Sequence, residues 1–212
     1  MRKSLPEETM FCKDFDSFVN TLEHKGYIVH PAESAAQAKE IALCLIGTGS
    51  AGFGGSATVH GLGLSDALRA QGNTVYKHWD TPEDRKRVFH GAANADFYVC
   101  STNAITLDGT LVNIDGTGNR VAAIIGGPES VIFIIGKNKL VKTLGAALKR
   151  VKTEACPKNA RRLNLPTPCA VDGKCTNCDI PQRMCRVTAI IEYPPRMVKA
   201  MHLILVDEEL GY

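Results

Sequence analysis

Residues 96–135 read DFYVCSTNAITLDGTLVNIDGTGNRVAAIIGGPESVIFII, and the fold is decided here. Residues 97–100, Phe-Tyr-Val-Cys, form a short apolar run that predicts a strand. Residues 105–107 and 110–112 flank Asp108-Gly109, a pair that tolerates the positive backbone angles of a tight hairpin turn. Residues 121–125 and 131–135 are unbroken apolar runs of strand length. Strands of that kind are buried on both faces, as in parallel sheets covered by helices.

Downstream, residues 139–151 place Leu140, Leu144, Ala147, Leu148 and Val151 on one side of a predicted helix. Residues 188–192 and 201–206 are the last predicted strands. Upstream, residues 14–25 carry Phe15, Phe18, Val19 and Leu22 at helical spacing, and Gly26 is a natural stop. A strand at 27–29 and a helix at 34–45 follow. Residues 47–63, GTGSAGFGGSATVHGLG, are too rich in glycine for regular structure. Leu64 to Ala70 is helical, 74–76 is a strand, and Thr81-Pro82-Glu83-Asp84 starts a helix that ends near Ala93. This alternation predicts one α/β domain over residues 1–212, with a mainly parallel sheet flanked by helices.

The chain of 212 residues is 44% hydrophobic, enough for one sizeable core. Its net charge of +3 is dispersed, and no basic stripe with interleaved aromatics marks a nucleic-acid surface. The start, MRKSLPEETMFCKDFDSF, is too polar for a signal peptide. The longest apolar stretch, 121–135, is interrupted by Gly126, Gly127, Pro128 and Glu129, so no membrane span is expected. A cytoplasmic location follows, where clustered cysteines favour metal or redox chemistry over disulfides.

Two segments point to a ligand. Gly52, Gly54, Gly55, Ser56 and Thr58 offer backbone N–H groups and hydroxyls to an anion, or simply form a tight turn. No P-loop or GxGxxG pattern is present. Residues 101–120 concentrate Asn, Asp, Thr and Gly beyond what one turn needs. Ser101 and Asn103 end a buried strand, where open α/β sheets bind ligands. Asn113, Asp115, Asn119 and Arg120 add amides, a carboxylate and a guanidinium. Lys137, Asn138 and Lys139 follow the last core strand and bring positive charge. Asp108 and Asp115 are the acids of the hairpin, and Asp115 is the candidate general base.

GFGGSAT together with STNAITLDGTLVNIDGTGNRVAAIIGGPESVIFIIGKNKLV resembles the LUD domain family (DUF162), represented by lactate-utilisation protein C, over residues 14–150. The resemblance implies a Rossmann-like sheet of the NagB/RpiA/CoA-transferase kind. It also implies a pocket between the glycine loop and the polar hairpin, and a role in L-lactate oxidation beside iron–sulfur partner proteins. The pocket residues it implies are Gly54, Gly55, Ser56, Thr58, Ser101, Asn103, Thr106, Asp108, Asn113, Asp115, Gly118, Asn119 and Arg120, around a small anionic organic molecule.

Residues 165–187 depart from lactate-utilisation protein C and resemble a tail on stand-alone LUD proteins. Of the eight cysteines in the chain, Cys169, Cys175, Cys178 and Cys185 fall here, spaced Cys-x5-Cys-x2-Cys-x6-Cys. A single Cys-x2-Cys knuckle is not a zinc ribbon, and the run is not that of bacterial ferredoxins. Lys174, Arg183 and Arg186 suit an anionic cluster. A [4Fe–4S] cluster is the favoured occupant, with zinc as the alternative. Cys12, Cys44, Cys100 and Cys156 sit singly and are read as packing residues. Three functions stay open: an iron–sulfur protein of small-acid oxidation, a binding or transferase module with a structural metal, and a non-catalytic subunit of a redox complex.

Overall fold

A computed structural model describes residues 15–77 and 84–212. The expected helix start at Thr81-Pro82-Glu83 and the first residues, Cys12 among them, lie outside the described residues. Six strands make the main sheet: β1 (Ile28–Ala32), β2 (Ala51–Phe53), β3 (Val75–Lys77), β4 (Phe97–Cys100), β7 (Ser130–Gly136) and β10 (Ala200–Val206). Their order is β1-β10-β7-β4-β2-β3, and every neighbouring pair is parallel. Alternate side chains of β7 feed two cores. Val131, Phe133 and Ile135 join Tyr98, Met201 and Leu203 on one face, while Ile132 and Ile134 join Val99, Ile204 and Val206 on the other. Continuous apolar strands are the consequence of burial on both faces.

Helices α1 (Phe15–His24), α2 (Ala35–Ile46), α3 (Ala57–Gly61), α4 (Leu64–Ala70), α5 (Arg85–Ala93) and α6 (Asn119–Gly126) connect or cover these strands. The architecture is α/β and Rossmann-like, as expected. A second, four-stranded sheet stands beside it in the order β8-β5-β6-β9, from β5 (Ala104–Thr106), β6 (Leu111–Asp115), β8 (Leu140–Val141) and β9 (Val187–Ile191). The antiparallel β5–β6 hairpin turns at Asp108-Gly109, where Gly109 takes a φ of +82°.

Three expectations are corrected. Residues 121–125 lie in α6 and not in a strand. The Asp115 carboxylate accepts from the N–H groups of Thr117, Gly118 and Val121, starting the helix. Val121, Ala123 and Ile124 turn inward while Ile125 is 44% exposed, an amphipathic face that five apolar letters do not reveal. The glycine-rich stretch 47–63 contains β2 and α3. Gly52 serves close packing in β2, since a Cβ there would run into the Ala92 backbone of α5. Finally, the helix expected over 139–151 begins only at Leu144, capped by the Thr143 hydroxyl. Lys137–Lys139 is a 3-10 turn.

The helix then continues through α7 (Leu144–Arg150), a π segment over Val151–Ala155, and α8 (Cys156–Arg162). Pro157 explains the π segment, because its ring would clash with the carbonyl four residues back in a regular helix. Helix α9 (Pro168–Asp172) then leads into the cysteine segment.

Candidate functional site

The carboxyl ends of β2, β4 and β7 lie side by side, and the chain leaving each one contributes to a single cavity of about 600 Å³. After β2 come Gly55, Ser56 and Thr58. After β4 come Ser101, Thr102 and Asn103. After β7 comes Lys139. Parallel sheets leave their ligand crevice at this end.

Lys139 decides the character of the site. Its side chain is only 2% exposed, yet it lines the cavity. The Nζ donates to Thr58 Oγ1 and Ser101 Oγ, both at 2.7 Å. Among the described residues, no carboxylate is paired with it. Burial pulls its pKa down from 10.5 to about 7, and the Arg150 and Arg120 guanidiniums push it the same way. Cys100, the one group acting oppositely, is itself held as a thiol by burial, with a pKa raised to about 12. Lys137 contrasts with it, since its ammonium lies 3.1 Å from the Asp207 carboxylate.

The chain around Lys139 is built to hold it. A Cβ at Gly136 would meet the Leu210 amide, and Asn138 Oδ1 accepts from that amide at 3.1 Å. Thr58 in turn donates to the Leu210 carbonyl, so residues 208–212 brace the lysine's partners.

Arg120 sits beside this cavity as a structural hub. Its NH1 donates to the Ser101 carbonyl and Asn113 Oδ1, and its NH2 to Asn103 Oδ1 and the Ile114 carbonyl, at 2.6–2.9 Å. Asn103 Oδ1 also accepts from the Ile114 N–H. These groups tie the hairpin to β4. The Asp115 carboxylate is likewise occupied by the start of α6, with Arg120 Nε 4.0 Å away. Both of its oxygens thus accept from backbone N–H groups of the α6 start. Among the described residues, the buried Tyr98 hydroxyl and Asn113 Nδ2 have no hydrogen-bond partner.

Of the residues expected from sequence, the cavity gathers Gly55, Ser56, Thr58, Ser101, Asn103, Asp115, Asn119 and Arg120. Gly54, Thr106, Asp108, Asn113 and Gly118 do not line it. Gly54 packs against Tyr98, and Gly118, at a φ of +85°, leads into α6. Asn113 is fully buried behind Arg120. Thr106 donates to Asp108 within the hairpin turn, and Asp108 lies 3.9 Å from Lys25 at α1. Sequence reasoning missed Arg85, Asn159 and Arg162, which also line the cavity. Asn159 and Arg162 share one face of α8, spaced three apart and hydrogen-bonded to each other. That spacing, just before the cysteines, was the available signal.

The cysteine segment forms another wall. Pro181, Gln182, Arg183, Met184 and Arg186 face the cavity. Arg183 holds the segment's shape by donating to the carbonyls of Cys178 and Cys185 and to Asn177 Oδ1. Cys169, Cys175, Cys178 and Cys185 are free thiols of intermediate exposure. Cys185 Sγ lies 3.7 Å from Lys152 Nζ, Cys175 Sγ accepts from the Asn177 N–H, and Cys169 Sγ is 3.4 Å from Thr167 Oγ1. Among the described residues, no group of three or more His, Cys, Asp or Glu side chains is gathered as a metal-ion site. Zinc needs its thiolates drawn in to about 2.3 Å from one ion. In kind, thiols with N–H and cationic donors beside them suit a four-iron cluster.

The lining is strongly basic. Among the described residues, Arg85, Arg120, Lys139, Arg162, Arg183 and Arg186 contribute to it, against the acidic side chain of Asp115. Among the described residues, no helix is long and apolar enough to cross a membrane.

A family model described as the LUD domain matches residues 15–206. The crystal structure of a DUF162 family protein from Deinococcus radiodurans is similar in fold, with a TM-score of 0.56 and 13% sequence identity over 91% of this chain and 95% of that one. Among curated proteins, none matches this chain significantly.

Proposed function

We propose, from the premise that this chain belongs to the LUD domain family of lactate-utilisation-related domains, that its basic cavity binds a small organic anion of the hydroxy-acid or oxo-acid kind. The observation that carries this reading is Lys139, buried with no carboxylate partner among the described residues and lining a cavity otherwise rich in guanidinium groups. A cationic concave site of this kind concentrates anions. Ser56 and Asn119 supply neutral donors to orient the ligand.

The same proposal assigns a [4Fe–4S] cluster to Cys169, Cys175, Cys178 and Cys185. Four thiols on one short segment support it, as do the donors to two of their sulfurs, from Lys152 to Cys185 and from the Asn177 N–H to Cys175. A bound cluster would supply one-electron transfer, and the segment's share in the cavity wall suits a role beside a bound acid. Iron and acid-labile sulfide measured on anaerobically prepared protein test this part. Stoichiometric zinc with no sulfide would overturn it.

A second reading, a ligand-binding subunit without chemistry of its own, is favoured by the internal commitment of Asp115 and Arg120. The two readings share the anion pocket. They part on turnover when an electron acceptor is supplied.

A further inference from the structure

Resting on the anion-pocket reading, we infer that Lys139 Nζ is a nucleophile that forms an imine with the carbonyl carbon of a small anionic oxo compound, a 2-oxo acid being the simplest of the class. The argument begins with valence. A neutral amine has two N–H bonds and one lone pair. The two short contacts, to Thr58 Oγ1 and Ser101 Oγ, account for both N–H bonds. The lone pair is then the one position on nitrogen without a partner.

The surroundings keep that lone pair available. Lys139 is buried, with no carboxylate among the described residues to hold a proton on it, and two guanidiniums disfavour the ammonium form. Desolvation beside other cations is a recognised way to activate a lysine for carbonyl chemistry. Lys137, two residues earlier and paired with Asp207, lacks these conditions. Among the described residues that line the cavity there is no cysteine, histidine or second lysine, and the Cys100 thiol is fully buried and does not line it.

The step balances without an added reagent. The amine lone pair forms the C–N bond as the carbonyl π pair moves to oxygen, giving a carbinolamine. That oxygen leaves as water, carrying the two protons that nitrogen loses, and C=N remains. The Thr58 and Ser101 hydroxyls touch the nitrogen and can pass these protons. The basic lining retains the carboxylate while the bond forms.

The test is reductive trapping of the intact protein with pyruvate and sodium cyanoborohydride, followed by peptide mass mapping. One reduced pyruvate adduct on Lys139, absent in K139R, is expected. Its yield should fall about tenfold per pH unit below about 7, as the amine takes up its proton. Adducts spread equally over surface lysines in both proteins overturn the inference. So does no adduct at Lys139 while calorimetry shows pyruvate binding, an outcome that leaves the anion pocket intact. Absence of both adduct and binding overturns the pocket reading as well. If K139R fails to fold, the peptide map of the wild type alone decides.

Discussion

At the scale of single residues, the site separates groups that face a ligand from groups that hold the frame. Lys139 belongs to the first kind, Arg120 and Asp115 to the second. Substituting Arg120 with alanine takes away the partner of the buried Asn113 Oδ1 and removes four hydrogen bonds. A loss of about 3 kcal/mol in denaturant unfolding is expected, because hydrogen bonds to charged groups contribute about 1.5–3 kcal/mol each but are not additive. D115N keeps one accepting oxygen for α6. It should cost about 1 kcal/mol and leave ligand affinity unchanged. A large loss of affinity with an intact fold would restore Asp115 as a functional acid. Lys139 carries its own pH signature. Its folded pKa of about 7 lies below the ordinary 10.5, so the unfolded chain binds the extra proton between these values. Stability therefore rises as pH increases from about 7 towards 10.5. Thermal melts should show this slope in the wild type and a shallower one in K139M. The sequence made this residue visible only as a charge after a strand. Its burial and the two hydroxyls around it come from segments 81 and 38 positions away.

At the scale of elements, legibility followed period and length. The runs at β4, β7 and β10 and the Asp-Gly hairpin were readable because strand patterning and turn chemistry agree there. Residues 121–125 were not, since an apolar run of five suits a strand or a helix equally. The deciding cap, Asp115, lies six residues from Val121. Gly52 misled in a similar way, because it records the approach of α5 rather than a loop. The β1–β10 edge makes a separate prediction. His30 Nε2 and His202 Nδ1 are 3.0 Å apart, and the ring that accepts must be neutral, since an imidazolium has no lone pair to offer. Burial lowers both pKa values below 6.5, with His30 adding repulsion at His202. The native state resists protonation here, so stability falls as pH drops below 6.5. H202Q should flatten that decline in thermal melts between pH 7 and pH 5. An unchanged profile would remove the pair from the account.

At the scale of the whole molecule, the cavity joins three strand ends to the cysteine segment, which supplies Arg183, Met184 and Arg186 to its wall. The cysteines were the plainest signal in the sequence, yet nothing in their spacing showed that their neighbours face the cavity. That juxtaposition depends on α8 and on β9 pairing with β6. It predicts that C178A/C185A weakens anion binding without touching the β-strand ends, read as a loss of affinity with a modest fall in melting midpoint. Calorimetric titration of the intact protein with L-lactate and pyruvate, beside K139M, puts the anion pocket to its most direct trial. Saturable binding of at least one acid, weakened by about tenfold or more in the folded variant, is the predicted result, since a lost charge-assisted contact is worth at least about 1.4 kcal/mol. Equal affinity in both proteins, or no binding of either acid by the wild type, would contradict it.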